Sequence, residues 1–79
     1  MNTEEYKRQS GRIRRLVAQL SPDATVEFDE YKAPDYLKFS IHKGITLLGV
    51  SGDEHIANVR DWNQTHLTKY IHAICNDRL

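Results

Sequence analysis

The stretch Tyr36–Val50 constrains the fold of this chain more than any other segment. In its first half Leu37, Phe39 and Ile41 alternate with polar residues, and a period of two predicts a half-buried β-strand. The second half is rich in β-branched and aliphatic residues, which is typical of a strand. Gly44 separates the halves and can enter the left-handed backbone region without steric cost, so the stretch predicts a β-hairpin closed at this glycine.

The loop length decides which residues of the second strand share a face with Phe39. A three-residue loop puts Ile45 and Leu47 on that face. A two-residue loop puts Leu48 and Val50 there instead. The three-residue loop is favoured, because a type I turn followed by a left-handed glycine is a common hairpin closure.

In either register, large aliphatic side chains of the second strand point away from the Phe39 face. They are covered by the helices of the chain itself, or they form an exposed apolar patch that binds a partner. The second alternative predicts a protein-interaction site with Tyr36, Leu48 and Val50 as its anchors. The partner would be held by pairing of sheet faces or of edge strands.

A helix and a strand are predicted before the hairpin. On a helical wheel of the first twenty residues, Tyr6, Ile13, Leu16, Val17 and Leu20 fall within an arc of about 100°. The five basic residues of this segment fall on the opposite side. Pro22 ends the helix, and residues 24–30 are predicted to form the first strand, with Val26 and Phe28 pointing inward.

Two helical segments are predicted after the hairpin. Ser51 and Glu54 have the spacing of a capping box, which predicts the start of a short helix, although residues 55–60 also fit a fourth strand. Thr65 is the predicted N-cap of the last helix, which carries a regular apolar stripe and ends near Asn76.

These elements predict one α+β domain spanning residues 1–79, with the order α-β-β-β-α-α. It consists of an N-terminal amphipathic helix, a three-stranded antiparallel meander and two C-terminal helical segments packed on one sheet face. The predicted core comprises Ile13, Leu16, Leu20, Val26, Phe28, Leu37, Phe39, Ile41, Leu47, Leu67, Ile71 and Ile74.

Composition excludes several classes of site. With Cys75 as the single cysteine, neither an intrachain disulfide nor a four-cysteine metal site can form. The four histidines include no pair at i, i+4 spacing, and no nucleophile, base and orienting group are recognisable together. We therefore expect no enzymatic activity, no catalytic or metal-binding residues, no cofactor and no small-molecule substrate.

The hydropathy of the chain bears on its location. No apolar run approaches the length of a membrane span, and the first residues lack the apolar segment of a secretory signal. A cytoplasmic protein without membrane contact is therefore expected.

Charge supports two alternative functions. Lys7, Arg8, Arg12, Arg14 and Arg15 share one side of the first helix and are candidates for contacting nucleic-acid phosphates. The acidic residues concentrated in residues 27–35 suggest a small inhibitor or regulator of a nucleic-acid enzyme, such as a phage or mobile element encodes.

The overall charge argues against nucleic-acid binding as the first choice, and only the size of the chain and the segregation of its charges support the regulator. Eleven basic residues balance eleven acidic ones, whereas nucleic-acid-binding domains usually carry net positive charge. The first hypothesis is therefore a small non-enzymatic binding module that associates with another protein or with a second copy as a homodimer.

Overall fold

A computed structural model of the chain describes residues 3–29 and 35–79. The elements are α1 (Thr3–Leu20), β1 (Ala24–Phe28), β2 (Tyr36–Leu37), β3 (Phe39–Lys43), β4 (Thr46–Val50), β5 (Glu54–His55), α2 (Ile56–Asp61) and α3 (Gln64–Ile74). Strands β1, β3 and β4 form an antiparallel sheet in that order, and β2 pairs separately with β5. The α+β class and the predicted element order are confirmed, with the β2–β5 pair as an addition.

The inner face of the three-stranded sheet packs against the helices. In the first predicted hairpin strand, Leu37, Phe39 and Ile41 are buried as the alternation predicts. Helix α1 presents Ile13 and Val17 to them, both fully buried. The core consists of Ile13, Leu16, Val17, Ala24, Val26, Leu37, Phe39, Ile41, Leu48, Ile56, Val59, Leu67, Ile71 and Cys75.

Most of the predicted core is correct, and one residue is wrong. Leu20, Phe28 and Ile74 are partly buried and pack against the core. Leu47 was expected inside, but it is 48% exposed, whereas its neighbour Leu48 is 6% exposed. The hairpin register explains this exchange.

The hairpin closes through a two-residue loop, Gly44–Ile45, and not through the three-residue loop favoured by the sequence. Lys43 pairs with Thr46, and Gly44 has a φ of 58°. A left-handed glycine at the first of two loop positions is the arrangement that type II′ hairpin turns use. The alternative two-residue loop is also wrong by one residue, because it placed Gly44 second.

Strand β4 then contains a β-bulge at Leu48. Leu47 pairs with His42, and the next pair along β3 is Ile41 with Gly49, so Leu48 is an extra residue in the ladder. The bulge reverses the alternation. Leu47 points outward and Leu48 inward because of the loop register, and the bulge makes Val50 point outward as well.

The two adjacent leucines should respond differently to truncation. We expect Leu48→Ala to lower the free energy of unfolding by about 2–4 kcal/mol, since it removes buried methyl groups and leaves a cavity. Leu47→Ala should change it by less than about 0.5 kcal/mol, because the side chain is half exposed. Urea denaturation followed by circular dichroism measures both, and equal losses would contradict the pairing of Lys43 with Thr46 that sets this register.

The predicted capping box at residues 51–54 does not form. The Ser51 hydroxyl accepts a hydrogen bond from the backbone N–H of Phe39 at 2.9 Å, which joins it to the sheet. Glu54 lies in β5, and α2 begins only at residue 56, with the Nδ1 atom of His55 accepting from the backbone N–H of Ala57 at 3.1 Å. Residues 56–60 are therefore helical, and the strand alternative applies to residue 55 alone.

Helix α3 begins two residues earlier than predicted. Its N-cap is Asn63, not Thr65, because the side-chain oxygen of Asn63 accepts from the backbone N–H of His66 at 2.7 Å. The helix ends at Ile74, close to the predicted end near Asn76.

Candidate interaction surface

The outer face of the sheet is the side turned away from the buried core residues. Because Leu37, Phe39 and Ile41 point inward, the residues that alternate with them point outward. The outer face comprises Thr25 and Glu27 of β1, the alternating residues Tyr36, Lys38, Ser40 and His42, and Leu47 and Val50 of β4. Half of the Leu47 surface is accessible, so none of the described helices covers this side.

Four large apolar side chains on or beside this face are exposed. Ile45 at the hairpin tip is fully exposed, at 103%. Leu47 and Val50 are 48% and 45% exposed, and Tyr36 is 39% exposed. We call these four residues the apolar ridge. Val50 pairs with Ser40, which follows Tyr36 by four residues, so Val50 and Tyr36 are about 13 Å apart along the strand. Ile45 at the hairpin tip precedes Val50 by five residues, which corresponds to about 16 Å.

The predicted interaction anchors are therefore only partly on the surface. Tyr36 and Val50 are exposed, as the hypothesis requires, but Leu48 is buried and cannot contact a partner. Ile45 and Leu47 are exposed members of the apolar ridge that were not among the predicted anchors. A sequence signal for the bulge existed in Gly49, because a glycine inside a strand pattern often marks one.

Polar groups border the apolar ridge on β1 and β3. The Nε2 atom of His42 lies 3.0 Å from the Ser40 hydroxyl and 3.9 Å from a Glu27 carboxylate oxygen. Glu27 lies opposite Ser40 in the β1–β3 ladder. The outer face thus has an apolar edge along β4 and a polar, charged edge along β1.

Two of the predicted phosphate-binding arginines are used within the fold. The Arg12 guanidinium donates to the carbonyl oxygens of Val59 at 3.0 Å and Trp62 at 2.6 Å. The Arg14 guanidinium donates to the Val26 carbonyl at 3.0 Å and lies 4.8 Å from the centre of the Phe28 ring. The helical wheel placed both on the solvent side, but long side chains can extend from there to neighbouring elements.

Three basic residues of α1 are exposed besides Arg14, which is exposed but bonds the Val26 carbonyl. Arg8 lies 3.4 Å from a Glu5 carboxylate oxygen, although its side chain is 68% exposed. Lys7 and Arg15 are exposed, and their side chains form no hydrogen bond or ion pair with residues 3–29 or 35–79. The basic surface is therefore smaller than the sequence predicts.

The acidic segment 27–35 is described only in part. Glu27, Asp29 and Asp35 are exposed, and residues 30–34 lie outside the described residues. The hypothesis of a regulator acting through this segment stays a prediction.

Outside the outer face, the described side chains that could bind a metal or act in catalysis do not form a cluster. Within residues 3–29 and 35–79, no three His, Cys, Asp or Glu side chains lie close enough to hold a metal ion. Cys75 is fully buried, and its burial raises the pKa of the thiol.

No helix among the described residues has the length and hydropathy needed to cross a membrane.

Tyr70 connects α3 to the segment before α2. Its hydroxyl donates to a Glu54 carboxylate oxygen at 2.8 Å and accepts from the backbone N–H of Gly52 at 3.1 Å. Burial, followed by the hydrogen bond to Glu54, raises the pKa of Tyr70 from 10.0 to about 12. The centre of its ring lies 5.0 Å from that of Trp62 in a tilted contact and 6.4 Å from that of Phe39 in an edge-on contact, so the side chain links α3 to the core.

Titration of Tyr70 should be visible in the native protein. Because the native state holds this proton more tightly, its contribution to stability is complete below pH 10 and is lost as the pH rises through about 12. Ultraviolet absorbance of the phenolate should show one tyrosine ionising near pH 12, and Tyr70→Phe should lack this component. A native Tyr70 that ionises near its ordinary pKa would contradict the Glu54 hydrogen bond.

No protein-family model, curated protein or solved structure matches this chain. Any proposal for its function therefore depends on the surfaces described above.

Proposed function

We propose that this chain is a small binding module that associates with a protein through the outer face of its sheet. The observation that carries this proposal is the apolar ridge, which exposes Ile45, Leu47, Val50 and Tyr36 in a chain of 79 residues. Exposed apolar side chains that lie together on a surface and are bordered by polar groups mark interaction sites. Ile45, Leu47 and Val50 lie together on β4 and the turn before it, and Tyr36 lies about 13 Å from Val50 along the strand. Here the polar border is supplied by Ser40, His42 and Glu27.

In size and in its arrangement of apolar and polar residues, the outer face is suited to a small protein–protein interface. A standard interface buries about 800 Å² on each partner, with an apolar centre and a polar rim. Four side chains expose less than this, so the polar residues of β1 and β3 must contribute the remainder. The partner is another protein or a second copy of the chain, and its own surface must offer an apolar patch.

The double variant Leu47→Ser/Val50→Ser tests the proposal. Both side chains are about half exposed, so the variant should fold with little loss of stability. Sedimentation equilibrium of the wild type tests association with a second copy. Affinity capture followed by titration of the purified captured protein tests association with a different partner. We expect the double variant to lose the binding that the wild type shows.

A matched control is Ala18→Ser/Ala73→Ser, which introduces the same residue type at two exposed helical positions away from the outer face. The control should bind as the wild type does. Retention of the same partners, with the same affinity, by the outer-face variant would refute the proposal.

The second candidate function is nucleic-acid binding through α1. It is favoured by Lys7, Arg8 and Arg15, which lie on the solvent side of one helix. The side chains of Lys7 and Arg15 are free to contact phosphates, and Arg8 forms only an exposed ion pair with Glu5. Fluorescence anisotropy with duplex RNA, duplex DNA and single strands tests it at low and moderate salt. Binding that weakens steeply with salt and is lost in Lys7→Glu/Arg15→Glu would support this function. Absence of binding at low salt would refute it.

A further inference from the structure

Strand β4 has an open edge. It is the last strand in the order β1-β3-β4, so only one of its sides is hydrogen-bonded in the ladder. An open edge is a template for a strand from another chain, and proteins commonly protect it with charged residues or proline on the strand. The sequence of β4, Thr46–Val50, contains neither.

The turn that follows α3 lies beside β4. The end of α3 packs closely on β4, because a Cβ atom at Gly49 would lie 2.6 Å from the carbonyl carbon of Ile74. Asn76 and Asp77 then adopt left-handed φ angles of 52° and 57°. These angles reverse the chain, and they bring Arg78 back to the strand.

Arg78 joins the turn to the bulge. Its Nη2 atom donates to the carbonyl oxygen of Leu48 at 2.5 Å, and its Nε atom donates to the carbonyl oxygen of Cys75 at 3.1 Å. Leu48 is the extra residue of the bulge, so its carbonyl lies outside the regular ladder and needs another partner. Arg78 therefore satisfies the group that an added strand would otherwise find unpaired.

We propose that the open edge of β4 is a second interaction surface, masked by Arg78, and that the strand it takes when unmasked is β4 of a second copy. Two uncharged β4 strands can approach each other without like-charge repulsion. Antiparallel pairing would also bring Leu47 and Val50 of both copies side by side on one continuous outer face. This surface is distinct from the outer face of the proposed function, so each stands or fails separately.

Arg78→Ala removes the mask and is the primary test. Sedimentation velocity over a series of protein concentrations should show dimers, with a dissociation constant at least about tenfold below that of the wild type. Amide hydrogen exchange in Arg78→Ala should slow at residues 46–50 as concentration rises, and at no other strand. Arg15→Ala is the matched control, because it removes an arginine with no partner among the described residues and should associate as the wild type does.

Arg78→Lys decides the outcome if the alanine variant does not fold. Lysine keeps the charge and one donor for the Leu48 carbonyl but cannot also hold the Cys75 carbonyl in a fixed fork. It should dimerise more than the wild type. A folded Arg78 variant that stays as monomeric as the wild type at every concentration would overturn the proposal. Equal protection of the β4 amides in wild type and variant would also overturn it.

Discussion

Replacing Gly49 with alanine is expected to lower the free energy of unfolding by at least about 3 kcal/mol, enough to unfold much of a chain of this size. The new Cβ atom would lie 2.6 Å from the carbonyl carbon of Ile74, still closer to its oxygen, and 3.0 Å from the backbone nitrogen of Cys75. These are backbone atoms at the end of α3, and they cannot move aside as a flexible side chain can. Helix α3 would have to shift away from β4.

Urea denaturation followed by circular dichroism measures this loss. Gly11→Ala is the matched control, since it makes the same change inside α1. There the added Cβ atom meets only the end of the Arg15 side chain at 3.3 Å, which can swing away. Alanine should stabilise the helix by about 0.5–1 kcal/mol because it is the better helix former. Two similar, small effects would show that α3 does not pack on β4 as described.

Replacing Arg12 with alanine is expected to lower the free energy of unfolding by about 2–3 kcal/mol. Its guanidinium donates to two carbonyl oxygens near the end of α2, those of Val59 and Trp62, and to the side-chain oxygens of Gln9 and Gln64. The last carbonyls of a helix have no partner within the helix, so a cation there satisfies them and interacts favourably with the helix dipole. The alanine variant leaves them without this partner.

Thermal and urea denaturation of three variants separate this role from a general effect of charge. Arg15→Ala removes the same charge from the same helix and should change stability by less than about 0.5 kcal/mol. Arg12→Lys should recover only part of the loss, because an ammonium group cannot reach several acceptors with fixed geometry. If Arg12→Ala and Arg15→Ala are equally stable, Arg12 is a solvent-exposed residue, as the helical wheel placed it.

The hydrogen bonds of Arg12 and Arg14 within the fold decide which residues can be used to test nucleic-acid binding. Charge reversal at Arg12 would weaken the fold, so loss of binding in such a variant would be ambiguous. Arg14 has the same drawback because it bonds the Val26 carbonyl. Lys7 and Arg15 are the informative positions, since neither side chain forms a polar contact with another described residue.

The candidate site could be located only in outline from the sequence. The alternation before Gly44 identified the hairpin and predicted that apolar residues of β4 would face away from the core. Tyr36 and Val50 are exposed as that hypothesis requires. The two-residue alternative placed Leu48 inward and Leu47 outward, but neither register placed Leu48 inward and Val50 outward together, because a single bulge changes the face of every residue after it.

The sequence by itself determined the features that depend on local periodicity. The inward residues of β3, the apolar arc of α1 and the stripe of α3 follow from the fixed repeat of strand and helix backbones. Only the tertiary structure decided where the bulge lies, which residues cap α2 and α3, and which arginines point inward. The end of α3 packs against Gly49 beside the bulge, and the Arg12 guanidinium bonds carbonyls 47 and 50 residues later in the chain. Such contacts form between elements that are distant in sequence, so no local pattern records them.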